Sequence, residues 1–262
     1  MNVKYEVADR IATLTLDRPE VANAQNAALL DELDGHWAAA VADENVRVIL
    51  LRAEGKHFSA GHDLNSGAPR PDKITLDLIY DSEARRYLEY TLRWRNAPKP
   101  SIAAVQGRCI SGGLMLCWPC DLIVASEEAK FSDPVVMMGI GGVEYHGHTW
   151  ELGPRKAKEI LFTGRALTAR EAEQVGMVNR VVPHAELERT ALDWGRKIVA
   201  KSPTAQRMLK YSFNLVDDGL VGQQLFAGET TRLAYMAEEA VEGRDSFLEK
   251  RPADFSRFPW HV

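Results

Sequence analysis

Three short apolar runs constrain this chain most: VRVILLRA (46–53), KPSIAAVQG (99–107) and DLIVAS (121–126). Their apolar residues are largely unbroken and do not alternate with polar ones, as in a strand covered on both faces. Such strands belong to a sheet packed between helices. The segments around them supply the cover. NAALLDELDGHWAAAVAD (26–43) places Leu29, Leu30, Leu33, Trp37, Ala40 and Val41 at helical spacing. A second helix is expected over Ile74–Asn96. A third is expected in GPRKAKEILFTG (153–164), with Pro154 in its first turn and Gly164 past its end.

KYEVADRIATLTLD (4–17) alternates about the polar turn at Ala8, Asp9 and Arg10, the pattern of a β-hairpin. AKFSD (129–133) and GMVNRVVP (176–183) read as further strands, and the Pro-containing stretch Asn65–Lys73 as a polar connection. From about Ala185 to Leu248 the periodicity is helical, punctuated by Ser202-Pro203 and Gly219. The expected architecture is an α/β core over 1–200 followed by a helical region over 201–262.

A net charge of −5 argues against nucleic acid or an anionic membrane surface as the main partner. No run approaches the ~20 apolar residues of a bilayer span, and the N-terminus reads as folded strand instead of a signal peptide. The cytoplasm is the expected compartment. Cys109, Cys117 and Cys120 lie in apolar sequence; Cys117 and Cys120 have the C-x-x-C spacing without a second pair, so buried reduced thiols are expected and no metal.

The chemistry concentrates in GRCISGGLMLC (107–117). Ser111 as a nucleophile on a tight turn is one reading, but Cys109 stands where the elbow needs a small residue. The better reading is a backbone cradle. Ser111 would cap the following helix, and the amide of Gly112, with no β-carbon in the way, would face a developing oxyanion. HFSAGHDL (57–64) offers a second turn of small residues, able to present the Ala60 N–H to the same oxygen.

HFSAGHDL, VQGRCISGGLMLCWPCDLIVAS, AKFSDP and EGRDSFLEKRPADF, in this order from LTLDRPEVANA to the C-terminus, resemble the crotonase, or enoyl-CoA hydratase/isomerase, family. The resemblance implies a spiral of β-β-α repeats, a C-terminal helical region that drives trimerisation, and a trimer or a hexamer of two trimers. It also implies an acyl-CoA substrate, with coenzyme A as part of the substrate and no separate cofactor. By position it assigns the oxyanion amides to Ala60 and Gly112. Coenzyme A would lie along Val21 and Ala22 and along Ala60, Gly61, His62, Asp63 and Leu64, with Lys250 reaching its phosphate across a subunit boundary.

The pattern breaks at the two glutamates with which family hydratases activate water, whose positions fall on Met115 and Val135. Neither side chain can carry a proton. Replacements are sought in GGVEYHGHTWELG (141–153), with Glu144 first and His146 second; His148 and Glu151 are close by, and the H-x-H pair lacks a third metal ligand. His62 reads as a coenzyme A neighbour or an acid/base group, and Asp63 as a cap for the segment after it. Chemistry through a thioester enolate is the leading function. Thioester hydrolysis, a silent coenzyme A-binding subunit and a serine-peptidase reading of Ser111 are the rivals. With no base at Met115 or Val135, crotonyl-CoA hydration, followed by loss of the enoyl thioester absorbance, is expected orders of magnitude below that of a glutamate-bearing relative. A matching rate would show that the 141–153 segment replaces both groups in full.

Overall fold

The computed structural model describes residues 1–64, 80–219, 221–222, 224, 227–228, 231, 237–256 and 258. By its contacts the chain forms two compact units, Met1–Pro203 and Thr204–Val262.

The first unit is built on a six-stranded sheet. β1 (Val3–Ala8) and β2 (Ile11–Leu16) form the hairpin, joined by Asp9 and Arg10 at φ 51° and 64°. Two consecutive left-handed residues match the right-handed twist of the strands. After a short turn at Pro19–Val21 comes α1 (Ala27–Ala42), capped by Asn26, whose side chain accepts from the Leu29 N–H. β3 (Val48–Ala53) then lies parallel to β2.

The described chain resumes in a wide π-type helix, Tyr80–Glu89, which runs into α2 (Tyr90–Arg95). The first residues of the helix expected from Ile74, and the whole connection 65–73, lie outside the described residues. β4 (Ser101–Val105) pairs with β3, and β5 (Arg108–Ile110) leads through a 3-10 turn at Ser111–Gly113 into the single turn α3 (Leu114–Cys117). β6 (Leu122–Ser126), β7 (Lys130–Ser132) and a 3-10 segment at Pro134–Met138 follow. Then come α4 (His148–Thr163), β8 (Leu167–Thr168), α5 (Ala169–Gln174), β9 (Arg180–Val182) and α6 (His184–Val199).

The large sheet runs β1-β2-β3-β4-β6-β9, parallel from β2 onward, and β5-β7-β8 form a small second sheet. Both faces of the large sheet are covered, as the unbroken apolar runs require. Leu14, Leu51, Ala103 and Ile123 are in register across it and share a core with Leu29, Leu33 and Trp37 of α1. Val48, Leu50, Ile102 and Val124 point the other way, onto Leu187 and Ala191 of α6. The architecture is mixed α/β, as the order of strands and helices in the sequence leads one to expect. The second unit is helical where described: α7 (Pro203–Asp218) and α8 (Glu238–Glu249).

Two element boundaries differ from the periodicity. α4 begins five residues before Gly153, which sits at φ 71° and joins two helical pieces; Pro154, lacking an N–H, opens the second. His148 and Glu151 are therefore on a helical turn and not in a loop. GMVNRVVP contributes only Arg180–Val182 to the sheet, its N-terminal half being a turn. The three cysteines are free and buried, with Cys109 Sγ and Cys117 Sγ 3.8 Å apart. Burial, then the neighbouring Cys109, pushes the Cys117 thiol far above its ordinary pKa, which makes it a poor nucleophile. Among the described residues no helix is long and apolar enough to cross a membrane.

The hairpin turn yields a test. Arg10 occupies a left-handed position that favours glycine. Arg10→Gly is expected to stabilise the protein by about 0.5–1 kcal/mol and raise Tm by about 1–4 °C, measured by calorimetry.

Candidate active site

The site forms where two loops of the first unit are clipped together. After β3 the chain enters the core at Phe58, and Ser59 makes a one-residue bridge to Cys109: the Ser59 N–H donates to Arg108 O (3.1 Å) and the Ile110 N–H to Ser59 O (3.0 Å). A second bridge joins Gln25 to His62, the Gln25 N–H donating to Gly61 O (2.7 Å) and the Asp63 N–H to Gln25 O (2.9 Å). Between these clips the backbone approach is close. A methyl on Gly61 would lie 2.8 Å from Ile110 O and 3.3 Å from the Gly112 nitrogen. One on Gly112 would lie 2.7 Å from Gln25 Oε1 and 3.2 Å from His62 Nδ1.

The amides do not follow the sequence assignment in full. The Ala60 N–H is already bound to Ala22 O at 2.9 Å, so Ala60 is not the free donor. Gly61, at φ 84°, breaks the strand alternation. The N–H groups of Ala60 and Asp63 therefore face the 22–25 segment, while that of His62 turns to the opposite side. Among the described residues none accepts from the His62 N–H. Gly112, second in its 3-10 turn, has no acceptor within that turn.

Ser111 does not cap the turn: the capping position is Ile110, and no side chain caps it. Ser111 lies inside the turn at φ 45°, a left-handed conformation costing about 1–2 kcal/mol. Its hydroxyl bonds no imidazole or carboxylate among the described residues, so a nucleophile there would lack a base.

These loops open on a cavity of ≈ 500 Å³ lined by Ala60, His62, Leu64, Ile110, Ser111, Val135, Val143, Glu83 and Glu144 among others. Val135 faces the cavity, whereas Met115 is fully buried in the core, its sulfur accepting from the Tyr145 N–H at 3.4 Å. Val21 and Leu64 are exposed, Leu64 at the cavity edge. Asp63 pairs with Arg18 at 3.0 Å; the segment it was expected to cap lies outside the described residues. Lys250 ends α8 in the second unit, exposed and left-handed.

Of the candidates in 141–153, the fold brings Glu144 to the cavity and not His146, whose ring packs against Gly142 and lies 4.5 Å from that of His148. His148 is buried, its Nε2 3.1 Å from Asp133 Oδ2 and its ring edge-on to Trp118. It serves structure: the pair joins both ends of the segment that carries Val135 and Glu144. Glu144 keeps accessible surface, so the cavity walls its carboxyl without sealing it. Burial raises its pKa first, and the neighbouring Glu83 adds to the rise.

Glu83 was not singled out in the sequence, where it is one acid in a charged helix. In the structure His62 Nε2 is 3.1 Å from Glu83 Oε2, the His62 ring stacks on Tyr87 at 3.9 Å, and the ligand atoms of His62, Glu83 and Glu144 lie within 4.8 Å of one another. The Tyr87 hydroxyl is held far above its ordinary pKa by burial and by these carboxylates.

The family model for enoyl-CoA hydratase/isomerase matches residues 6–257. The chain belongs to that family, the crotonases. It is 44% identical to 1,4-dihydroxy-2-naphthoyl-CoA synthase of Mycobacterium tuberculosis over 97% of this chain and 86% of that one. Among solved structures it resembles a probable enoyl-CoA hydratase from Mycobacterium smegmatis (63% identity, TM-score 0.80, 88% and 94% coverage). It also resembles an enoyl-CoA hydratase from Bacillus anthracis (27% identity, TM-score 0.79, 97% and 99% coverage). Crotonases process acyl-CoA thioesters, and this chain is an enzyme of that kind. The two carboxyls that line the cavity, Glu83 and Glu144, come from the π-type helix and from the segment after β7.

Asp133 and His148 provide a check on how the Glu144 segment is held. The 3.1 Å approach is not in hydrogen-bonding geometry, so Asp133→Ala trades a buried, unsatisfied carboxyl for a small cavity and is expected to change stability by no more than about 1–3 kcal/mol in a thermal melt.

Proposed function

We infer that this crotonase binds an acyl-CoA with its thioester oxygen between the N–H groups of His62 and Gly112, stabilises the enolate there, and moves protons on the acyl chain with Glu144. The observation that carries the reading is the pairing of two amides, without acceptors among the described residues, with a carboxyl of raised pKa on one apolar cavity. Fixed amide dipoles stabilise the charge that develops on the thioester oxygen as a C–H proton leaves, and they need no reorganisation to do so. A carboxyl shifted toward neutrality exchanges protons most effectively at working pH. The cavity wall of Ile110, Val135 and Val143 suits an acyl group.

Coenzyme A would run along Val21–Ala22 and Gly61–Leu64, with Lys250 of a neighbouring subunit on its phosphate in a trimer or hexamer. A carboxyl that takes and returns protons favours proton relocation, as in enoyl isomerisation, over hydration through the family glutamates that Met115 and Val135 replace. A silent binding role does not use that carboxyl, and hydrolysis, which could use it as a base for water, would release free coenzyme A and leave no deuterium on the thioester.

Deuterium exchange tests the reading without knowledge of the natural acyl group. Purified protein incubated with acyl-CoA thioesters in D2O is expected to introduce deuterium beside the thioester, read by mass spectrometry. Glu144→Gln should slow exchange by ~10²–10⁴-fold with little change in acyl-CoA affinity. Gly112→Ala should slow it by ~10²–10³-fold. The new methyl also meets buried Gln25 Oε1 at 2.7 Å, so Gly112→Ala, and Gly112→Val more so, is expected to lower stability by about 1–3 kcal/mol. Wild-type exchange in folded Glu144→Gln would remove Glu144 from the mechanism.

A further inference from the structure

We propose that Glu83 is the second proton-transfer residue of this site: Glu83 and Glu144, brought from unrelated elements to one cavity, hold a single proton between them, and His62 anchors the Glu83 carboxylate. The proposal rests on the reading of the cavity as an acyl-CoA site and deepens it.

The geometry is specific. Glu83 stands on the π-type helix, a wide and uncommon form often found at functional positions. That helix and α2 are strapped to α1 by Arg86 on Asp31 (2.9 and 3.0 Å), Tyr90 on Asp31 (2.9 Å) and Arg93 on Asp34 (2.7 Å). Glu144 arrives on the segment after β7, tied at its ends by Asp133 and His148. Both carboxyls line the cavity, and one oxygen of each and a ring nitrogen of His62 lie within 4.8 Å of one another.

The charges facing the pair come from three elements. His62 and Asp63 lie on the loop after β3, Arg86 and Tyr87 on the helix of Glu83, and Glu144 on its own segment. Arg86 is engaged by Asp31 and Asp63 by Arg18. His62 Nε2 stands 3.1 Å from Glu83 Oε2, and with its proton on Nε2 it donates to the Glu83 carboxylate, so the shared proton is placed on Glu144.

The arrangement makes a base and an acid available together, and the chemistry balances as an isomerisation of a 3-enoyl thioester. The Glu83 carboxylate takes a proton from C2, and the C–H electron pair forms the enolate held by the two amides. Glu144 then gives its proton to C4, the C3–C4 π pair becoming the new C–H bond while the enolate pair forms the C2–C3 double bond. The pair ends as it began, with one proton, and no other reactant is consumed. The work that two glutamates do in family hydratases, at the positions of Met115 and Val135 here, is in this reading taken by carboxyls from two other places.

Carbon-13 NMR of carboxyl-labelled glutamate in the free protein tests the pair without any substrate. Glu83→Gln should lower the Glu144 titration midpoint, since the like charge that raises it is gone, and Glu144→Gln should lower that of Glu83. Unchanged midpoints in both variants would overturn the proposal. In the deuterium-exchange assay each single variant should lose ~10²-fold or more, and the double variant should be no worse than the weaker single. The bell-shaped pH profile should lose its acid limb in Glu83→Gln. Losses that multiply, or a profile that keeps its acid limb, would also overturn it. Stoichiometric zinc or manganese in purified protein, absent from Glu83→Gln, would assign the three side chains to a cation instead. If the midpoints couple but no acyl-CoA exchanges deuterium, the shared proton stands and the acyl-CoA reading falls.

Discussion

Two single-residue bridges, Gln25 with His62 and Ser59 with Cys109, decide what this protein can do. Each is a pair of ordinary backbone hydrogen bonds, worth little individually. Together they press two loops from distant parts of the chain so close that Gly61 and Gly112 have no room for a β-carbon. The same bonds orient the peptide units: with Gly61 O on Gln25 and the Asp63 N–H on Gln25 O, the His62 N–H must face the other way. The buried Ser59 hydroxyl secures the arrangement, donating to Asn23 O while accepting from Gln25 Nε2 and the Gly61 N–H. That arrangement leaves the main-chain N–H groups of His62 and Gly112 without acceptors among the described residues.

The clip works because the elements behind it are rigid. β3 and β4 bury both faces, and the residues in register across the sheet feed one continuous core on the α1 side. The loops leave from the ends of these strands, so their spacing is inherited from the sheet. Local strain is tolerated there: Ser111 holds a left-handed conformation within the turn, between half-buried Ile110 and a buried helix.

The carboxyls at the cavity have a different origin from the amides. Met115 on α3 and Val135 just after β7 bring no ionisable group there. Met115 has become part of the core, with its sulfur under the Tyr145 amide, and the cavity is served instead by a helix strapped to α1 and by the segment closed by Asp133 and His148. Glu144, though exposed, is held above the ordinary carboxyl range by the apolar wall around it and by the neighbouring Glu83.

Much of this was legible in the chain. Unbroken apolar runs required a doubly covered sheet, the spacing of Leu29, Leu33 and Trp37 required α1, and the Asp9-Arg10 turn required a hairpin, because side-chain periodicity and turn chemistry are local properties. The glycine at 112, the apolar residues at 115 and 135, and Glu144 as a candidate were equally readable. What local sequence did not carry was orientation. Ala60 and His62 are both small-loop residues by sequence, and only the pairing with Ala22 and Gln25 decides which N–H is taken and which is left. His146 and His148 look equivalent in an H-x-H motif, yet the break at Gly153 and the buried Asp133 place one in the interior and leave the other outside the cavity. Glu83 is one charge among many in its helix, and its meeting with Glu144, 61 positions later in the chain, exists only because α1 fixes that helix over the cavity. Hydrogen-bond direction and long-range proximity belong to the whole fold, and there the tertiary structure decided.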